Sequence, residues 1–134
     1  MVVPKVYWTE FLSHLRKMGF GTSIFESVIL SGVSAYHRHD LSSIFYYLSR
    51  YSFAYDTERK RWVWVSPHEL TCIGMSSYTC RIAILYLNLE ILRAFFGIDL
   101  SIDAFKGLSG FHCDSDTKSV IMRWMGGDLL RSLT

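Results

Sequence analysis

Two prolines in 134 residues, at positions 4 and 67, are one of several shortages in this chain. It has no Pro/Gly-rich linker, no low-complexity tract and no internal repeat, so arrays and mucin- or collagen-like classes are excluded. Charge is also scarce, at 19% of residues and a net +2, far from the balance of a charge-dominated nucleic-acid binder. Three cysteines (Cys72, Cys80, Cys113) are an odd number without framework spacing, which favours a reduced, intracellular protein, cytoplasmic or nuclear rather than secreted. The N-terminal MVVPKVYW has no charged stretch followed by a long apolar run, so no signal peptide is expected. The most apolar segment, 82–96, is broken by Asn88, Glu90 and Arg93 and is shorter than the ~20 apolar residues of a membrane span. No membrane partner follows from it.

What the chain does have is apolar and aromatic mass. Half its residues are hydrophobic and 16% are aromatic, enough for one packed domain and for a patch left over for self-association or a partner. The first half is the more basic: residues 1–66 hold eight Lys/Arg against five Asp/Glu, and residues 67–134 six against seven.

Helical spacing runs from the N-cap residue Thr9 to about Met18 through Phe11, Leu12, Leu15 and Met18. Ser23 and Glu26 form an S-x-x-E box opening a second helix through about Leu30, closed by Gly32. After a polar joint at 34–39, Asp40 caps a third helix over 41–50. Its inward stripe is Leu41, Ile44, Phe45, Leu48 and Tyr51, with Tyr46, Tyr47 and Arg50 outward. Segments 53–55 and 62–65 are aromatic and β-branched and read as a hairpin, with Asp56-Thr57-Glu58-Arg59-Lys60-Arg61 at its tip. A second S-x-x-E box, Ser66 to Glu69 with Pro67 at the first turn, starts a short helix to near Gly74. A long helix from Ser76 or Ser77 to Phe96 is apolar on almost every side, so it is central to a core or to an oligomer interface. Short helices over 101–108 and from 114–116 to 125 follow, and Gly126-Gly127 breaks the chain before 128–133.

Three helices and then a hairpin with a charged tip is an order that resembles the winged helix-turn-helix superfamily, over residues 7–66. The fold expected is mainly α with one small β-hairpin: a winged-helix-like module at 1–66 and a helical half at 67–134 around the long buried helix. The two parts are either separate or one domain, with a seam at Ser66-Pro67. The resemblance implies that 41–50 is the reading helix and 53–65 the wing, although no short strand stands between the first two helices. Independently of it, Arg59, Lys60 and Arg61 can neutralise phosphates. Tyr46, Tyr47 and Arg50 can stack on or hydrogen-bond a nucleic acid, and Arg38 lies between His37 and His39 just before the third helix. Asp40, Asp56 and Glu58 weaken that local field. The alternative is a solvated Arg-Lys-Arg turn, with Tyr46 and Tyr47 packed on the C-terminal helices.

Other chemistry has thinner support. His68 and Cys72 share a helical face, and Cys80, His112 and Cys113 could join them around a metal, but the spacing fits no zinc pattern. A Cys113/His68 or Cys80/His112 nucleophile pair lacks an orienting group, and neither Gly19-Phe20-Gly21 nor Gly126-Gly127 fits a phosphate loop. The expectation is therefore a non-enzyme without cofactor or metal. Its expected partner is DNA or RNA, bound through Arg38, Tyr46, Tyr47, Arg50, Arg59, Lys60 and Arg61. It would be a homodimer through Trp64, Leu85, Leu89, Leu92 and Phe95. The alternative function is a protein-interaction or assembly module that uses the exposed aromatics and C-terminal helices.

Overall fold

The computed structural model describes residues 5–68, 76–108, 111 and 115–125. Its order is α1 (Lys5–Lys17), α2 (Ser23–His37), α3 (Leu41–Leu48), β1 (Ser52–Asp56), β2 (Arg61–Val65), α4 (Ser77–Phe96), a 3₁₀ turn at Ile102–Phe105, and α5 (Ser115–Met125). The chain is mainly helical with one antiparallel hairpin, as expected.

Two helices differ from their sequence signals. Helix α1 begins four residues earlier than Thr9, and Phe11, Leu12 and Leu15 are buried while Met18 is exposed beyond its end. Helix α2 does not stop before Gly32 but runs five residues past it. The glycine is a packing residue rather than a stop: a Cβ there would lie 2.4 Å from Leu48 Cδ2, where α3 crosses. The expected cap also shifts by one position. Thr22 is the N-cap residue and its Oγ1 donates to Glu26 Oε2 at 2.8 Å, with Arg16 donating to both side chains. That ties the end of α1 to the start of α2.

The hairpin is filled on both faces. Ser52 pairs with Val65, Ala54 with Val63 and Asp56 with Arg61, so side chains alternate between two cores. Phe53 and Trp62 pack with α1 and α2, where Phe11 stacks on Phe95 at 4.9 Å and meets Trp62 at 5.3 Å. Ala54, Val63 and Val65 pack on Cys80, Ala83, Ile84 and Leu87 of α4 and Trp124 of α5. The strands lie between two helical layers.

Helix α4 is the axis of this arrangement. Ser76 Oγ accepts from Thr79 N at its start, and Gly97 ends it in the left-handed conformation with φ +66°. Leu85, Leu89, Leu92 and Phe95 are each at most 4% exposed, filled by the chain's own α1–α3 and hairpin. The four helix side chains expected at a dimer interface therefore lie inside the fold. The same cluster runs across the expected seam at Ser66-Pro67, so the two halves share one core.

Among the described residues no helix is long and apolar enough to cross a membrane. Cys80 is disulfide-bonded, which departs from the expectation of reduced cysteines. Cys72, His112, Cys113, most of the expected 67–74 helix and residues 126–134 lie outside the described residues.

Candidate functional site

The junction between α3 and β1 is held from two sides. At the start of α3, Asp40 Oδ1 accepts from Ser43 N at 3.1 Å and Oδ2 from Ser43 Oγ at 2.6 Å. These hydrogen bonds, led by the Ser43 hydroxyl and helped by the charge of Arg38, hold the Asp40 carboxyl below its ordinary pKa against partial desolvation. At the other end Asn88, buried in α4, donates from Nδ2 to the carbonyls of Leu48 and Tyr51, both at 2.8 Å. Two carbonyl acceptors admit only the amide NH₂, so the side-chain orientation is fixed by chemistry. Asn88 Oδ1 is buried without a partner among the described residues.

That support presents a run of rings and one cation. Tyr46 is 59% exposed and meets Tyr47 edge-on at 5.3 Å. Arg50 Cζ lies 5.3 Å from the Tyr46 ring centroid and 5.7 Å from that of Tyr51. Tyr51 stacks on Trp64 of β2 at 5.3 Å and 17°, and Trp64 meets Phe53, which meets Phe20. One Arg50 N–H approaches Tyr46 Oη at 3.5 Å, which leaves most of the guanidinium donors facing solvent.

Shallow grooves extend the run at both ends. Beyond Tyr47, a groove of about 440 Å³ is lined by Ser27, Leu30, Ser31, Ser34, Arg38 and Tyr47. Beyond Trp64, two more share Phe20 and Trp64; one adds Ile24 and Phe53, the other Met18, Arg61, Trp62 and Val63. None of these three has a carboxylate among its described lining residues. The result is a track from Arg38 through Tyr47, Tyr46, Arg50, Tyr51 and Trp64 to Arg61.

The hairpin tip is built differently. Asp56 is fully buried, and its Oδ1 accepts from the backbone N–H of Glu58 and Arg59 at 3.0 and 3.3 Å. Arg123 of α5 grips the same carboxylate at 3.0 and 3.2 Å and reaches Glu58 at 3.1 Å. The Thr57 N–H and hydroxyl both donate to the Arg123 carbonyl. Burial alone would push the Asp56 carboxyl up. Arg123 and the two backbone donors outweigh it and hold the pKa below the usual carboxylate range, while the Arg123 pKa is raised by the same contact. Arg59 leans on Asp56 at 3.8 Å, whereas Lys60 and Arg61 are exposed. The tip cations Arg59 and Lys60 thus stand with two carboxylates and a third cation, Arg123, and α5 fixes the tip in place.

The structure gathers Arg38, Tyr46, Tyr47, Arg50 and Arg61 on the track, and puts Arg59 and Lys60 at the tied tip. Trp64 joins the track rather than a separate interface. Sequence reasoning missed Tyr51 (placed in the inward stripe), Phe20, Asn88 and Arg123. Asn88 had a visible signal, as one of the few polar residues in an apolar helix; Arg123 had none, since its partner is 67 residues away. No family model, curated protein or solved structure matches the chain.

Proposed function

We propose that the protein is a non-catalytic nucleic-acid-binding protein that holds its ligand along the track from Arg38 to Arg61. The observation that carries this reading is the alternation of arginines with exposed or half-exposed rings, beside grooves with no carboxylate among their described lining residues. Guanidinium groups meet phosphates, and rings accept bases or sugars. The order of three helices and a hairpin supports a winged-helix-like architecture for the first half, with a hairpin braced on both faces in place of a projecting arm. Fluorescence anisotropy with labelled oligonucleotides tests the function. Binding is expected at low salt, with log K falling linearly as log salt rises. Absence of binding to every nucleic-acid probe at low salt would overturn it.

The second reading, a protein-interaction module, draws on a different feature. Each groove carries one exposed large apolar residue: Leu30, Ile24 and Met18. Such residues suit an apolar partner surface. It predicts stable association that salt does not weaken and that Ile24→Asp disrupts.

A further inference from the structure

We infer that the nucleic acid held on this track is single-stranded, an inference that rests on the function proposed above. Three features of the surface favour unpaired bases over a duplex. First, α3 is eight residues long and its sequence, LSSIFYYL, contains no Lys, Arg, Asn or Gln. Those are the side chains that make the bidentate contacts to purine edges in a major groove. Second, the hairpin does not project. Both faces of its strands are packed, and its tip is tied to α5 through Asp56 and Arg123, so it has no free arm to lay along a duplex groove. Third, the ligand-facing groups are rings with an arginine set between them. Tyr46 is the most open, Arg50 sits over it, and Tyr51 and Trp64 continue the line.

Base-on-ring stacking requires bases that are not already stacked and paired, and it tolerates any base because each has a π-face. Charge points the same way. Phosphate neutralisation supplies essentially all of the non-specific affinity for a duplex. The track supplies three arginines, Arg38, Arg50 and Arg61, which suits a binding mode where stacking supplies much of the affinity. In this arrangement the strand crosses the end of α3 with a base on Tyr46 and phosphates at Arg50. One end runs into the Arg38–Tyr47 groove, and the other into the groove of Phe20, Trp64 and Arg61.

The experiment compares an end-labelled oligothymidine of about 16 nucleotides with a mixed-sequence duplex of equal length, on the full chain by anisotropy at low salt. The inference expects at least about tenfold tighter binding of the single strand, with quenching of tryptophan emission. It also expects a loss of about fivefold or more for Tyr46→Ala and near-retention for Tyr46→Phe. Tyr46 is exposed, and circular dichroism verifies that both variants fold. Equal affinities, tighter duplex binding, or a Tyr46→Ala variant that binds oligothymidine unchanged would each overturn the single-strand inference while leaving the nucleic-acid reading in place. Failure of both probes to bind at low salt would overturn both.

Discussion

The two ends of the hairpin both carry cations but set them in different surroundings. At the base, Tyr51 and Trp64 sit beside Arg50, whose guanidinium meets two rings and one phenol. At the tip, Arg59 and Lys60 stand with Asp56 and Glu58, and both carboxylates are engaged by Arg123. The base has few cations and leaves them open. The tip has more, Arg123 among them, and sets them against two carboxylates that balance only part of their charge. A run of basic residues in a sequence therefore does not tell what surrounds each cation, since a distant element can bring in a further charge and fix the loop that carries the run.

Breaking the support beneath the base gives the largest expected effect. Asn88→Ala removes the donors to two buried carbonyls, each costly to leave unpaired. A loss of about 3 kcal/mol in denaturant unfolding is expected, against a small gain from removing the orphaned Oδ1. A change under about 0.5 kcal/mol would mean that the α3–β1 junction does not depend on α4.

Loosening the tip comes next. Asp56→Ala strips Arg123 of its carboxylate and the tip of its backbone acceptor, for about 2 kcal/mol given that Arg123 is partly exposed. The same residue sets a pH dependence. A carboxyl whose folded pKa lies below its unfolded value, about 3.9, stabilises the fold above that value. That contribution is lost as pH falls through the lower, folded pKa. Thermal melts of the parent chain should therefore lose stability on acidification below about pH 4, and Asp56→Asn should flatten part of that slope. Equal slopes for the two proteins would remove Asp56 from the linkage.

Gly32→Ala is expected to have a smaller effect. Its Cβ would press on buried Leu48, costing roughly 1–3 kcal/mol, and the gain in helix propensity returns up to about 1 kcal/mol. A net loss near 1 kcal/mol in the same denaturant assay is expected, whereas a net gain would place α3 further from α2. This residue also shows where the sequence is hardest to read. Glycine near the end of an apolar pattern is a helix stop by local rules, and only the crossing of α3 turns it into a packing site. By contrast the hairpin strands, the Asp40 cap and the Ser76–Gly97 limits of α4 follow from nearest-neighbour chemistry and were legible. The outward positions of Tyr46 and Arg50 were legible too, from helical period. The continuity of the track was not, since it depends on Trp64 of β2 reaching Tyr51 and on Phe20 closing the groove.

Surface changes are expected to move stability least, within about 1 kcal/mol, because an exposed cation–π contact is worth about that much or less. They should move binding most, which makes the two ends of the hairpin directly comparable. The deciding measurement is oligonucleotide affinity at one low salt concentration for two double variants, Tyr46→Ala with Arg50→Ala at the base and Arg59→Ala with Lys60→Ala at the tip. The account predicts a loss of about tenfold or more for the base pair and about threefold or less for the tip pair. A tip variant that loses more affinity than the base variant would contradict it.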